Sequence, residues 1–270
     1  MNDGLSDAKL AAITQDKYGN MWFGGLGLNR YNGHIIEHYP ADINDSTALP
    51  DLNIRRIFCS RSGNLYISTF SGFCRYDYLK NNFQRQPFGI NASDSRILEA
   101  DEGVLWMNSE KGLVVVDEKK GTVTELARHP DTLIKKIAKL HIYAFATDYK
   151  EKVYLGTKSG LYIINYKTWQ AELFKHNPHD AASLINDDVQ NIVIDKSGMV
   201  WLSTTYYGST LVMFNPLTKK FTNYEQLHTL KKEWTDNRVL DLLIDKNGRL
   251  WIATLRSSLA LFDTEKKGFT

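Results

Sequence analysis

A short motif that returns six times constrains the fold of this chain more than any other feature. Each copy has an apolar stretch, an Asp or another polar residue, a turn that usually contains Gly, and an aromatic residue in a second strand. The fifth copy, Asp195-Lys-Ser-Gly-Met-Val-Trp201-Leu-Ser-Thr, is the clearest. The aromatic anchors recur every 40 to 50 residues and are Trp22, Tyr66, Trp106, Tyr154, Trp201 and Trp251. A period of this length, made of short strands, is typical of propeller blades.

The fifth repeat shows how one period becomes a blade. A β-branched run at 189–194 predicts the first strand, and the polar tetrad that ends in Gly198 predicts a hairpin turn. Three further strands are predicted at 200–204, 211–215 and 221–224. The sequence therefore predicts an all-β fold, a β-propeller of four-stranded antiparallel blades, as one domain over 1–270. The six blades are placed at about 5–40, 52–90, 95–127, 140–176, 187–225 and 236–270.

One stretch breaks the strand pattern. Residues 226–234 carry Leu227, Leu230 and Trp234 at helical spacing, which predicts one or two helical turns inside an enlarged connector.

Composition excludes several classes of protein. Of 270 residues, 43% are apolar and 12% aromatic, which is enough for a packed core and argues against disorder. A net charge of +2 gives no strong bias toward nucleic acid or an anionic membrane. No run of eighteen apolar residues exists, so no membrane insertion is expected within this segment. Residues 1–7 lack the pattern of a signal peptide, so we expect a cytoplasmic protein or prior removal of an export signal.

The two cysteines belong to the second repeat. Cys59 is predicted to end the first strand and Cys74 to lie in the third. Two strand spacings, roughly 10 Å, would separate their backbones. A relaxed disulfide does not span that distance, so we expect two free thiols.

Candidate ligand-binding residues lie in the loops between second and third strands, which together with the blade connectors form the central face of a propeller. Aromatic faces can stack on sugar rings, while Arg and Lys can hold carboxylate or sulfate groups. The competing interpretation is that these are ordinary solvated loop residues, or, for the first of them, packing between blades. The candidates are Phe70, Lys111, Lys158, Tyr206, Tyr207 and Arg256.

Other polar residues are better explained by structure. His176 and His179 form an H-x-x-H pattern, but in a Pro-containing loop without a third ligand nearby. Calcium is conceivable at the Asp residues before the turn glycines, but capping of their own turns explains Asp16, Asp195 and Asp245 better. No catalytic residue, metal or cofactor is predicted, and no phosphate-binding or nucleophile-elbow motif is present.

The repeats resemble those of a known family. Trp201-Leu-Ser-Thr and Trp251-Ile-Ala-Thr match the second strand of the two-component regulator propeller repeat. Gly27-Leu-Asn-Arg-Tyr31 and Gly72-Phe-Cys-Arg-Tyr76 match its third strand, and the connector at 177–184 is also typical. The resemblance covers almost the entire chain.

This resemblance implies a periplasmic sensor region of a Bacteroidetes hybrid two-component system. Such regions report on glycan breakdown products and control polysaccharide-utilisation genes, while the kinase activity lies elsewhere in the receptor. Family propellers usually have seven blades, so the resemblance implies that the six repeats belong to a larger array. The implied partners are an oligosaccharide, the rest of the receptor and a dimer mate, without nucleic acid.

Two alternative functions stay open at this point. A protein-interaction scaffold would present a broad apolar patch on one face rather than a concave polar pocket. A propeller lyase or hydrolase would need several catalytic side chains that converge near the axis.

Overall fold

Six four-stranded antiparallel sheets make up the protein, which confirms the predicted all-β propeller fold. The computed structural model describes residues 4–7, 9–93, 95–205, 209–224, 239–255, 259–264 and 268–269. The contacts divide the chain into two compact units, Met1–Lys139 and Leu140–Thr270, with three blades in each. That residues 1–270 form a single domain stays a prediction.

The first unit contains blades one to three. Blade one consists of β1 (Ala12–Gln15), β2 (Met21–Gly25), β3 (Gly27–Tyr31) and β4 (Ile36–Tyr39). Blade two consists of β5 (Ile54–Cys59), β6 (Leu65–Thr69), β7 (Phe73–Asp77) and β8 (Asn82–Arg85). Blade three consists of β9 (Ile97–Asp101), β10 (Val104–Ser109), β11 (Gly112–Asp117) and β12 (Thr122–Glu125). Short 3-10 turns follow blades two and three, at Pro87–Gly89 and Leu126–Arg128.

The second unit contains blades four to six. Blade four consists of β13 (Ala144–Thr147), β14 (Lys152–Thr157), β15 (Gly160–Asn165) and β16 (Gln170–Phe174). Blade five consists of β17 (Val189–Ile194), β18 (Val200–Thr205), β19 (Ser209–Asn215) and β20 (Lys220–Tyr224). Blade six consists of β21 (Val239–Ile244), β22 (Leu250–Thr254), β23 (Leu259–Asp263) and β24 (Gly268–Phe269).

Strand order explains the state of the two cysteines. Cys59 ends β5 and Cys74 lies in β7, and β6 pairs with both of these strands. Both cysteines are free, as predicted. Burial raises the pKa of the Cys74 thiol, because the thiolate would lose its hydration. Cys74 is therefore an inert core residue.

In the first unit, the aromatic anchors fill the space between neighbouring blades. The Trp22 ring is fully buried, stacks on Tyr39 with centroids 5.4 Å apart, and meets Tyr76 of the next blade edge-on at 4.8 Å. Tyr66 lies in a second cluster with Leu105 and Met107 of blade three. Burial of such large rings supplies a few kcal/mol each, which explains why the aromatic position recurs.

The second unit uses its anchors in the same way. Tyr154 of blade four lies in a core cluster with Val189 and Leu202 of blade five. Trp201 is only 1% exposed and meets Phe262 of blade six edge-on, with centroids 5.2 Å apart. These four anchors, Trp22, Tyr66, Tyr154 and Trp201, therefore have equivalent surroundings, whereas Trp251 of blade six is only half-buried.

One helix was not predicted from the sequence. The helix α1 (Thr132–Ile137) follows blade three, and the Asp131 carboxylate accepts a hydrogen bond of 2.9 Å from the Ile134 backbone N–H. Ile134 and Ile137 are buried, because they lie on one face of the helix. The stretch predicted to be helical, 226–234, lies outside the described residues.

Candidate functional site

The loops between second and third strands share one local structure in three blades. The last residue of the second strand donates its side-chain hydroxyl group to the carbonyl oxygen of the Gly three residues later, at 3.0 Å in each case. This bond closes the loop and leaves its two tip residues outside the sheet. The donors are Thr69, Ser109 and Thr157, and the acceptors are Gly72, Gly112 and Gly160.

Glycine is required at the end of the third of these loops. Gly160 has φ 122°, a conformation that side chains rarely adopt. A Cβ atom added there would lie 2.4 Å from the Phe174 carbonyl oxygen. The loop thus keeps its close approach to the neighbouring strand only with Gly at this position.

Phe70 is exposed in the first of these loops. Its side chain is 62% exposed, so the predicted alternative of packing between blades does not apply. Its backbone N–H donates to the Asn53 carbonyl at 2.9 Å, which ties the loop to the blade connector. The Arg55 guanidinium carbon lies 5.3 Å from the ring centroid, within the range of a cation–π interaction. An aromatic surface and a cation therefore lie side by side.

A β-bulge accompanies Arg55, which sequence reasoning did not single out. The register between β5 and β6 shifts between Ile54 and Arg56, so Arg55 is the extra residue. Bulges redirect side chains and are common next to functional sites. The same shift occurs in blades five and six, with Gln190 and Leu240 as the extra residues.

The remaining predicted residues are spread over the blades. Lys111 lies in the equivalent loop of blade three, where its ammonium group is 3.4 Å from a Glu125 carboxylate oxygen. Lys158 is exposed in the loop of blade four, in the second unit. Phe70 and Lys111 each have a partner in their own blade, Arg55 and Glu125, rather than another predicted residue. The other three candidates, Tyr206, Tyr207 and Arg256, lie outside the described residues.

Asp residues before the turn glycines cap their own turns, as predicted. The Asp16 carboxylate accepts hydrogen bonds from the backbone N–H groups of Tyr18 and Asn20 and from the Trp22 indole N–H at 2.8 Å. The same indole bond recurs from Trp201 to Asp195 at 2.8 Å and from Trp251 to Asp245 at 2.9 Å. The carboxylates are thus occupied by protein donors.

The electrostatics of two of these turns follow from their hydrogen bonds. Burial alone would raise the pKa of Asp16, but the donors Trp22 and Asn20 hold it below its ordinary value. The Trp251 indole, with Arg249 as a further donor, lowers the pKa of Asp245. Both carboxylates are therefore ionised at neutral pH.

In blade two, the carboxylate that accepts hydrogen bonds from the turn and the aromatic anchor comes from the next blade, which was not predicted from the sequence. Ser60 stands where the other repeats have Asp, and Tyr66 stands where four of them have Trp. Glu118 of blade three accepts hydrogen bonds from the Tyr66 hydroxyl at 2.6 Å, the Ser60 hydroxyl at 3.1 Å and the Asn64 amide at 3.0 Å. Burial, followed by the bond to Glu118, raises the pKa of Tyr66.

The histidine pattern at His176 and His179 has a structural role in its connector. The His176 backbone N–H donates to Asp187 at 2.7 Å, and its Nδ1 lies 2.8 Å from the Leu184 carbonyl oxygen. Among the described residues, no three His, Cys, Asp or Glu side chains come together in a way that would hold a metal ion.

One protein-family model matches the sequence. Residues 233–256, which include β21 and β22, match the model of the two component regulator propeller. Among curated proteins, none matches this sequence.

Three solved structures share the fold. The extracellular domain of the hybrid two-component system BT3049 from B. thetaiotaomicron is 20% identical with a TM-score of 0.72, over 98% of this chain and 35% of that one. The extracellular domain of the one-component system BT4673 from the same organism is 19% identical with a TM-score of 0.72, over 99% and 37%. Virginiamycin B lyase from Staphylococcus aureus is 15% identical with a TM-score of 0.63, over 96% and 81%.

The two extracellular domains are much longer than this chain, which spans 35% and 37% of their lengths. At these identities the likeness shows the fold, and the same fold occurs in these extracellular domains and in an enzyme. In the part of the chain that the structure describes, no helix has the length and apolar character needed to cross a bilayer. The resemblance predicted from the sequence is therefore confirmed: this is a propeller whose sixth repeat matches the two-component regulator propeller model and whose fold is that of the extracellular domains of a hybrid two-component system and a one-component system from B. thetaiotaomicron.

Proposed function

We propose that this chain is a non-enzymatic sensor propeller of a hybrid two-component receptor and works outside the cytoplasm, in the periplasm. Its ligand is an oligosaccharide released from a glycan, and occupancy controls polysaccharide-utilisation genes through a kinase elsewhere in the receptor. The observation that carries this proposal is the fold, which matches the extracellular domains of a hybrid two-component system and a one-component system over 98% and 99% of the chain. The matched repeat at 233–256 adds independent support from the sequence.

The exposed loops between second and third strands supply the proposed contact residues of each unit. The Phe70 ring offers a flat apolar face, and Arg55, Lys111 and Lys158 offer cations and hydrogen-bond donors. Sugars combine apolar ring faces with hydroxyl and acidic groups, so this mixture of side chains suits them. Tyr206, Tyr207 and Arg256 belong to the same proposal through their sequence positions.

Signalling further requires that the ligand prefer one state of the receptor. Binding shifts an equilibrium only by its difference in affinity between the two states. We propose that the partners are the rest of the receptor, including further blades, and a dimer mate. A change in blade or dimer arrangement would then carry ligand occupancy to the kinase.

Calorimetry with the ectodomain that contains this chain tests the proposal. We expect heat of binding with at least one oligosaccharide from a panel of neutral and acidic glycans. Replacement of Phe70 by Ala should weaken that binding about tenfold, because ring stacking supplies on the order of 1 kcal/mol. Leu79→Ala is the matched control, since Leu79 is an exposed apolar residue in the turn between β7 and β8, at the other end of the strands. No heat with any glycan would refute the proposal.

Two other outcomes would point to the alternative functions. Binding of a protein partner without any glycan would favour an interaction scaffold. Turnover of a glycan would favour the lyase or hydrolase hypothesis, which one of the structural neighbours represents.

A further inference from the structure

A cleft of about 400 Å³ lies in the second unit, between the first turns of blades four and five. We call it the Tyr149 cleft. It is lined by 147–150 and Lys152 from the first turn, 194–199 from the second, Tyr154, and the pair Pro216 and Leu217. Within blade four, the turn between the first and second strands lies at the opposite end of the strands from the loop that carries Lys158. The cleft is therefore separate from the site proposed above.

Tyr149 has a backbone conformation that tyrosine rarely adopts. Its φ is 54°, in the left-handed region, where a bulky side chain is strained. In four other repeats the equivalent turn uses a glycine for its left-handed residue, with φ between 81° and 87°, at Gly19, Gly63, Gly198 and Gly248. In the fourth repeat Glu151 takes the glycine position, and the left-handed residue moves two positions earlier, to Tyr149.

The turn is built to hold this conformation. One Asp148 carboxylate oxygen accepts hydrogen bonds from the backbone N–H groups of Lys150 at 2.9 Å, Glu151 at 3.0 Å and Lys152 at 2.9 Å. The Thr147 hydroxyl accepts a further one from the Tyr149 N–H at 3.0 Å. Strain that is maintained in this way is typical of binding and switch sites.

Burial of the Tyr149 ring does not explain the strain. The side chain is 67% exposed, so it adds little to the core. The neighbouring Leu217 is 90% exposed. An aromatic ring and an aliphatic side chain thus lie in water at one cleft, where a ligand with an apolar face would cover them.

Charge in the cleft favours an anion. Three lysines line it, Lys150, Lys152 and Lys196. The lining also holds two carboxylates, so the lysines leave an excess of one positive charge. One oxygen of Asp148 accepts the bonds named above, and Asp195 accepts N–H groups from its own turn and from the Trp201 indole. The Lys196 ammonium contacts the Lys246 carbonyl oxygen, which holds that cation at the turn.

We propose that the Tyr149 cleft binds an acidic sugar of one or two rings. The apolar face of the sugar stacks on the Tyr149 ring, and its carboxylate or sulfate pairs with the ammonium groups of Lys150 and Lys152. The volume is at the lower end of the range for small-molecule sites, which limits the ligand to this size. An open cleft with exposed lysines predicts weak binding, with a Kd of about 0.1–1 mM that rises with salt.

Ligand-observed NMR titration of the whole chain tests the site, with digalacturonate as the probe and neutral digalactose as its control. We expect saturable binding of digalacturonate and at least fivefold weaker binding of digalactose. Lys152→Gln should remove most of the difference in affinity between the two sugars. Equal binding of the two sugars would overturn the role of the lysines, and equal competition by a short acidic peptide would overturn the sugar assignment.

Variants at Tyr149 separate a binding role from a structural one. Tyr149→Gly should weaken digalacturonate binding at least fivefold, while the thermal midpoint stays the same or rises by up to about 3 °C because strain is removed. Tyr149→Phe should retain binding. A clear fall of the thermal midpoint in Tyr149→Gly would mean that the ring supports the fold, and unchanged binding would refute the site. Phe70→Ala should leave this binding intact, so failure here and failure of the proposed function remain distinguishable.

Discussion

The Glu118 carboxylate of blade three, which accepts hydrogen bonds from blade two, gives the sharpest stability prediction. The Tyr66 ring is fully buried, and its hydroxyl donates to Glu118 at 2.6 Å. Glu118→Ala leaves that hydroxyl without this acceptor and removes the bonds from Ser60 and Asn64. An orphaned buried polar group costs about 1–3 kcal/mol, and hydrogen bonds to a charged acceptor contribute about 1.5–3 kcal/mol each. We expect a total loss of about 3 kcal/mol, because the half-buried Asn64 can turn to water and the buried Ser60 hydroxyl keeps the Ser62 hydroxyl as a partner.

A double-mutant cycle isolates the bond between the two blades. Tyr66→Phe alone should cost about 1–2 kcal/mol, since it removes one charge-assisted hydrogen bond. In the Glu118→Ala background the same change should be nearly neutral, because the hydroxyl it removes no longer has this acceptor. The coupling free energy between the two sites is then about 1–2 kcal/mol.

Calorimetric unfolding is the assay for this cycle. About 3 kcal/mol corresponds to a fall of the thermal midpoint by roughly 6–12 °C for a chain of this size. Additive single and double variants, within about 0.5 kcal/mol, would show that Glu118 does not bind the Tyr66 hydroxyl and would refute the reasoning.

Two further predictions concern the repeated motif. First, the protein should lose stability as the pH falls below about 4. In the folded state the pKa values of Asp16 and Asp245 lie below their ordinary value of 3.8. The stability that these two carboxylates contribute is therefore present above pH 3.8 and is lost as each carboxylate is protonated in the folded protein. Thermal scans from pH 6 to pH 2 should show a shallower decline in Asp245→Asn, and an equal slope would contradict the role of that carboxylate. Second, Trp201→Ala should cost about 3–5 kcal/mol, as expected for a fully buried ring, whereas Trp251→Ala should cost less because Trp251 is only half-buried. Denaturant unfolding of the two variants compares them directly, and equal losses would count against burial as the cause.

The sequence was sufficient to predict the blades, because each repeat carries its strands, its turn and its anchor locally. The Asp-to-Trp spacing within a repeat is six residues in the first, fifth and sixth copies, and there the carboxylate meets the indole across one hairpin. Local patterns of this kind depend on strand and turn geometry alone. The free state of Cys59 and Cys74 followed from the same geometry.

Features that depend on contacts between blades, or on one residue's backbone conformation, were not predicted. Glu118 replaces a missing Asp from another repeat, and a one-repeat pattern contains no signal for it. Arg55 reaches Phe70 because a bulge redirects it, and bulges have no reliable sequence mark. The left-handed conformation of Tyr149 was likewise missed, although the absence of Gly at position 151 was a visible sign of an altered turn.

The helix α1 was missed for a different reason. The sequence does contain a recognisable helix start, because Asp131 is a favourable N-cap residue. Ile134 and Ile137 then follow at the spacing of one apolar helix face. Six residues are too few for the periodicity to stand out from a connector. The predicted helix at 226–234 has stronger spacing and stays a prediction.

Hydrogen–deuterium exchange with and without a bound oligosaccharide tests the central claim most directly. The account predicts that ligand slows exchange in the loops between second and third strands, at 69–72, 109–112 and 157–160. A neutral glycan, which the Tyr149 cleft binds only weakly, serves as the ligand. If it binds without protecting any of these loops, or protects only the opposite ends of the strands, the proposed sensing surface is contradicted.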